Sequence, residues 1–201
     1  MNSNLKLCNE AISDIFRHHD DEILTMVYHS SFNQEQAKVV CGCSILPLKT
    51  TARGKAPPCD PEKEDIVDES IKLFRANVLF RNFEIHGSAD RVLVYLTIFI
   101  QFCLKKLEGL DTKEKALKTL TAVGLDMNFT LPGDAAFPLG GLFPPPKDKD
   151  EADSWRMYFF QLRQETCKRL VEAVFDKVGK PNRHWLAFSK RKFMNKTASG
   201  S

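Results

Sequence analysis

From Val92 to Leu104 the chain reads VLVYLTIFIQFCL, and only Thr97 and Gln101 break its apolar character. Asp90 and Arg91 close it on one side, Lys105 and Lys106 on the other. A membrane-crossing helix needs about 18 or more apolar residues in a row. This run is too short for that, yet too apolar for a helix with one wet face. It predicts a helix buried on nearly all sides. Such a helix must be surrounded, so the rest of the chain has to supply the covering.

The chain has enough material. Its 201 residues suit a single domain on a prior of about 150 residues, and 43% are hydrophobic. Phe alone contributes 15 residues against 2 Trp and 3 Tyr, which is ample for one core. Six cysteines fall far below a disulfide scaffold's share. The N-terminal stretch carries Glu10, Asp14, Asp20, Asp21 and Glu22 and no apolar run, so it predicts neither a secretory signal nor a transit peptide. We expect a cytosolic or nuclear protein with reduced cysteines. The glycosylation sequons at Asn128 and Asn195 then read as chance matches.

Helical periodicity places the covering elements. Val67, Ile71, Phe74 and Val78 predict a helix capped by Asp65 and ending near Asn82. The apolar helix itself spans about 88–107, capped by Ser88 or Asp90 and stopped by Gly109. A third helix covers about Thr112 to Val123, with Gly124 closing it. The longest runs from about Asp150 to Asp176, with Trp155, Phe159, Leu162, Thr166 and Leu170 on one stripe. A fifth, about Pro181 to Lys190, has Pro181 as first residue and sets Trp185 and Phe188 on one side. Residues 1–25 allow a weak amphipathic helix, and 26–64 are mostly irregular, with strand character confined to 37–48. The predicted fold class is therefore all-α, about five helices around a central, very apolar helix.

The segment 125–149 stands apart. Pro132-Gly133, Pro138, Gly140-Gly141 and Pro144-Pro145-Pro146 forbid a long helix or central strand. Phe129, Leu131, Phe137, Leu139, Leu142 and Phe143 are nevertheless apolar, which predicts a loop packed on something. The C-terminal end is lopsided in another way. Residues 177–201 hold Lys177, Lys180, Arg183, Lys190, Arg191, Lys192 and Lys196 without one acid, a charge of +7. The whole chain is +3, so residues 1–176 sum to −4. A basic tail suits an acidic partner, whether protein, nucleic acid or anionic lipid.

No catalytic chemistry is legible. No glycine-rich phosphate loop occurs, and Gly140-Gly141 leads into prolines rather than a helix. Cys41-x-Cys43 is too tight for a zinc knuckle and has no second pair. The adjacent His18 and His19 point apart. Cys103 and Cys167 sit on apolar helix faces, where a thiol serves as a small hydrophobe. The Asp68-Glu69 and Asp148–Asp153 carboxylates stand at helix starts, where they complement the dipole. We expect no catalytic residue, no cofactor and no metal.

A set of longer strings is more specific. Tyr28-His-Ser-Ser31, Ile45-Leu-Pro-Leu48, Asp65-Ile-Val-Asp-Glu69, Ala76-Asn-Val78, Ala89-Asp-Arg91 and Cys103-Leu-Lys-Lys-Leu107 are followed by Phe137-Pro-Leu139, Leu162-Arg-Gln-Glu-Thr166, Val174-Phe-Asp176 and Phe193-Met-Asn-Lys196. In this order they resemble subunit 3, the small helical subunit of the actin-related protein 2/3 complex, across residues 26–201. The resemblance implies a non-catalytic subunit of a seven-subunit assembly that nucleates branched actin filaments. It implies contact mainly with the larger actin-related subunit, with actin filaments through the complex, and a place in the cytoplasm and cytoskeleton. It implies no nucleic-acid partner.

Residues 1–25 have no counterpart in that family. Either Met26 is the true start or the leader is a genuine extension; the reading favoured here is Met26. As interface candidates we take the loop residues Phe129, Phe137, Leu142 and Phe143 and the tail residues Lys190, Arg191, Lys192, Phe193, Met194 and Lys196. A free-standing helical module using the basic tail on nucleic acid or anionic lipid is the competing expectation.

Overall fold

A computed structural model describes residues 27–196 and shows a broadly helical chain with one small hairpin. The expected helix in residues 1–25 lies outside the described residues. The hairpin pairs β1 (Val39–Val40) with β2 (Cys43–Ser44), antiparallel, with Val39 opposite Ser44. Cys41 and Gly42 form its turn at φ 46° and 73°, the left-handed geometry that a two-residue hairpin loop demands.

Helix α1 spans Ile66–Asn77. Asp65 caps it, its carboxylate accepting from the Val67 and Asp68 amides at 3.1 and 3.0 Å. Asp68 reaches back to the Asp65 amide, completing a reciprocal cap. The helix stops at Asn77, short of the expected Asn82. Asn77 is fully buried, and its side chain exchanges two hydrogen bonds with the backbone of Tyr28. The chain then tightens into turns closed by Leu79 and Phe80.

Helix α2 spans Ser88–Lys106. Neither Ser88 nor Asp90 caps it; the cap is Gly87, in extended backbone, with no side-chain bond. Both expected caps are engaged elsewhere: the Ser88 hydroxyl shares a 2.5 Å hydrogen bond with Ser44, and Asp90 serves the N-terminal segment. From Val92 to Leu104 every residue is buried except the half-buried Phe102. The two polar interruptions are satisfied: Thr97 donates to the Leu93 carbonyl at 2.8 Å, and Gln101 donates to the Arg191 carbonyl. This meets the requirement that buried polar groups find partners.

Helix α3 (Lys113–Leu125) is capped by Thr112, and α4 (Lys149–Val174) by Asp148. Gly124 does not close α3. It lies inside the helix where α3 crosses α4, and a Cβ there would stand 3.2 Å from the Gln164 Cα. The expected α4 stripe, Trp155 to Leu170, is buried throughout, as are Cys167, Val171 and Val174. The last helix is shorter than expected: α5 covers only Arg183–Leu186, followed by a 3₁₀ turn at Ala187–Lys190. Its cap is Asn182, and Pro181 precedes it, bridged to Phe175. Helix α2 touches α1, α3, α4, α5, β2 and the 3₁₀ turn 187–190.

Trp155 of α4 gathers the aromatic core. Phe159 stacks on it with ring centroids 3.9 Å apart, and Tyr95 of α2 meets it edge-on at 5.8 Å. Offset and edge-to-face arrangements are the ones ring quadrupoles favour.

Candidate functional site

The described residues offer surfaces rather than a reaction centre. Among them no group of three or more His, Cys, Asp or Glu is placed to hold a metal ion. Cys43, Cys103 and Cys167 are buried, and burial pushes each of the Cys43 and Cys103 thiols well above the usual range. The Cys41 thiol rises to about 11, through burial and then the charge of Glu151. A nucleophilic cysteine needs the opposite shift.

Two buried carboxylates tie the irregular N-terminal segment to the helices: Glu69 accepts from the Ser30 hydroxyl (2.6 Å) and from the Ser31 amide and hydroxyl (2.8 and 2.6 Å), and Asp90 gathers four donors. Asp90 accepts from the Ser30 amide (2.8 Å), the Asn33 side chain (2.9 Å), the His29 ring (2.8 Å) and the His86 amide (2.9 Å). Burial alone would raise its pKa, but these donors outweigh burial and hold the carboxyl below the usual carboxylate range. The ring of His86 stacks on His29 at 3.7 Å. Arg169 of α4 bonds Asp65 (2.6 Å), Asp68 (2.9 Å) and the Lys49 carbonyl (2.6 Å). These are structural clamps: each charge is matched and turned inward.

The loop after α3 packs inward more than its composition suggested. Phe137 and Phe143 are 5% and 4% exposed, with ring centroids 5.4 Å apart, and Phe137 meets Trp155 edge-on at 6.0 Å. Their rings cover this chain's own core. Phe129 and Leu142 are half-buried and keep an outer edge. Arg91 holds the far end of the loop, donating to the Leu142 carbonyl at 2.7 Å and the Gly42 carbonyl at 3.2 Å.

The tail is anchored in the same way. Phe193 is fully buried, its ring edge-on to Phe83 at 6.0 Å. Its amide donates to the Gln101 side chain at 3.4 Å, and the Met194 amide donates to the Phe80 carbonyl at 3.0 Å. Phe193 therefore plugs the tail into the core. Around it Lys190, Arg191 and Lys192 are exposed, while Met194 and Lys196 are half-buried. The structure brings these tail residues together on one strap but does not join them to the loop candidates.

Exposed apolar residues that sequence reasoning missed lie near the loop. Leu117 and Leu125 of α3, Met127 just after it and Met157 of α4 are each at least 40% exposed. The Arg156 guanidinium reaches the Met127 carbonyl at 3.4 Å, which places the α4 surface beside that turn. Leu125 and Met127 follow Gly124 directly, and reading that glycine as a helix stop hid them.

Comparison with known proteins bears on what such surfaces meet. Residues 25–198 match the family described as P21-Arc, the ARP2/3 complex ARPC3 (21 kDa) subunit. The chain belongs to the ARPC3 family. Among relatives named actin-related protein 2/3 complex subunit 3, that of Dictyostelium discoideum is 49% identical over 174 residues, covering 85% of this chain and 99% of its own length. That of Arabidopsis thaliana is 48% identical over 171 residues, 85% of this chain and 98% of its own. The Saccharomyces cerevisiae protein is 44% identical over 176 residues, again 85% and 98%. The ARPC3 relationship therefore embraces the clamps, the packed loop and the tail alike. Among the described residues no helix is long and apolar enough to cross a membrane.

Proposed function

We propose that the chain is a non-catalytic structural subunit of an actin-related protein 2/3 complex and contributes to nucleation of branched actin filaments. The observation that carries this is the family relationship over residues 25–198, with relatives matched along nearly their whole length. An actin-related subunit, mainly the larger of the two, is its partner, with the remaining subunits around it and actin filaments reached through the complex. Its place is the cytoplasmic cytoskeleton. The free-standing nucleic-acid or lipid module finds no support in the family relationship.

In this reading residues 26–201 form one all-α domain centred on α2, and residues 1–25 precede the native start at Met26. The support for α2 as centre is its burial and its contact with the other helices among the described residues. The contact surfaces are the exposed tail cations Lys190, Arg191 and Lys192, with Met194 and Lys196 beside them, and the outer edges of Phe129 and Leu142. Phe137, Phe143 and Phe193 shape those surfaces from beneath. Basic residues on a buried anchor suit an acidic, actin-like surface.

The test is the native size and composition of the tagged protein from cell extract, by gel filtration and mass spectrometry. Elution in a large assembly with both actin-related subunits is the expected result. Elution near 22.9 kDa without them overturns the proposal. Peptides from residues 1–25 in the purified native protein would refute the start at Met26.

A further inference from the structure

Seven large apolar residues are exposed among the described residues, and four of them share one side of the molecule. Tyr28, Val39 and Val178 stand singly on separate segments, which is ordinary for a surface. Leu117, Leu125, Met127 and Met157 do not. Helices α3 and α4 run antiparallel: Lys113 reaches Glu172 at 2.6 Å at one end, and Arg156 reaches the Met127 carbonyl at the other. Between these ends Gly124 packs on Gln164 and Cys167. At 3.6 residues per turn, Leu117, Thr121 and Leu125 follow one line along the outer flank of α3. On the same flank of α4 lie the exposed Met157 and Lys168, with the half-buried Phe160 and Gln164 between them. The two lines bound a shallow trough.

The loop 52–56 forms its far edge. Gln161 of α4 is buried beneath that loop, donating to the Ala52 carbonyl at 2.7 Å and accepting from the Ala56 amide at 2.9 Å. Gly54 rests directly on the Gln161 side chain, leaving no room for a Cβ. The loop is thereby held in place, and its Arg53 and Lys55 are exposed. With Lys168 they set three cations along one margin of the trough, none of them ion-paired among the described residues. The acids of α4 do not offset them. Glu172 is engaged by Lys113 and Glu165 by Arg169, and Asp150 and Asp153 belong to the first two turns of the helix.

Shape and charge together select the occupant. The trough runs between helix ridges and offers no unpaired strand edge, so it fits a third helix rather than an added strand. Its exposed Leu and Met residues call for an apolar stripe on that helix, and its margin calls for acids beside the stripe.

On the assembly reading above, on which this depends, we propose that the α3–α4 face docks an amphipathic helix of a neighbouring subunit. The apolar stripe of that helix lies on Leu117, Leu125 and Met157, and its acidic margin faces Arg53, Lys55 and Lys168. The surface is built on other elements than the tail strap.

The test is hydroxyl-radical footprinting of the wild-type chain, free and in the purified complex. Met127 and Met157 are 43% and 40% exposed in the chain alone. Their oxidation should fall about fivefold on assembly, as contact residues pass into an interface core. Two variants then compete with wild type for incorporation: Leu117→Gln with Leu125→Gln, and Arg53→Glu with Lys55→Glu and Lys168→Glu. Each should enter the complex about tenfold less well. Their thermal unfolding should match wild type, because all five positions are exposed. Unchanged methionine oxidation on assembly overturns the proposal, as does equal incorporation of both variants. So does protection of Met127 and Met157 in the free chain as its concentration rises, which would make the occupant a second copy. A wild-type chain that purifies without partner subunits overturns the assembly reading and this proposal together. One that assembles with both methionines still reactive overturns this proposal alone.

Discussion

Replacing Asp90 by Asn isolates the charge that holds the N-terminal segment, because the two side chains have nearly the same shape. Asp90 presents Oδ1 to the Ser30 amide and the Asn33 side chain, and Oδ2 to the His29 ring and the His86 amide. All four partners point hydrogen at it. Asparagine keeps one oxygen and turns the other position into a donor, so one pair of donors faces an NH₂ group. If that pair is His29 and His86, the imidazole can change tautomer and accept, but the His86 amide stays unpaired. Hydrogen bonds to a charged acceptor contribute about 1.5–3 kcal/mol each, and one to two are lost, so the variant should lose about 2–4 kcal/mol. For a chain of this size that is a fall in melting temperature of about 5–15 °C.

The sign of the pH dependence follows from the same donors. The folded-state pKa of Asp90 is lowered, so its stabilisation is fully present above the unfolded value near 3.9 and is lost as pH falls through the folded value. The gap between wild type and Asp90→Asn should therefore be constant from about pH 7 to pH 5 and shrink below about pH 4. Urea unfolding of both full chains across that range measures it. A loss under about 0.5 kcal/mol at pH 7, within the range of an ordinary surface substitution, would refute the reasoning. So would a gap that widens in acid.

The tail and the helix contacts give further tests. Phe193→Ala should cost about 3–5 kcal/mol, as for other fully buried Phe, and should expose the 190–196 strap to protease. Charge reversal of Lys190, Arg191 and Lys192 to Glu should change stability by less than about 0.5 kcal/mol each, since all three are exposed. The same triple variant should incorporate poorly into the complex at low salt, with the difference from wild type narrowing as salt screens it; equal incorporation at every salt concentration would reject the tail. Gly124→Val should destabilise by about 1–3 kcal/mol, because the crossing helix offers backbone rather than a movable side chain. Arg169→Met should cost about 3–5 kcal/mol by leaving Asp65 buried without its cation, measured by thermal unfolding.

Local rules read the sequence well where the deciding interaction is local. Asp65 caps α1 because its partners are two and three residues away, and the buried α2 follows from composition alone. They fail where a residue is claimed from a distance. Asp90 has the type and place of a helix cap, yet three of its four donors come from residues 29–33, about sixty positions back. Gly124 has the type of a helix stop, yet it is needed for the approach of α4. Pro181 has the type of a first helical residue, yet Phe175 holds it outside the helix. The same holds for the candidate surfaces. A lone Phe among lysines reads as exposed, and Phe193 is buried because Gln101, on the deeply buried α2, turns its amide toward that position.

That last contact joins the fold to its surface. Gln101 is one of only two polar residues in the apolar run of α2, and a polar group there must be satisfied or it destabilises the helix. Its amide nitrogen donates to the Arg191 carbonyl and its oxygen accepts from the Phe193 amide, so both ends of the group are spent on the tail. The basic strap is thereby fixed to a deeply buried helix, on either side of a buried ring. An exposed cation on a free chain end gives a partner charge without position and must lose conformational freedom on docking. Lys190, Arg191 and Lys192 have lost much of that freedom already, on folding. A tail read only for its charge would tolerate the loss of Phe193; one that must present its charges in register would not. Phe193→Ala should therefore weaken incorporation even though it leaves every tail cation in place.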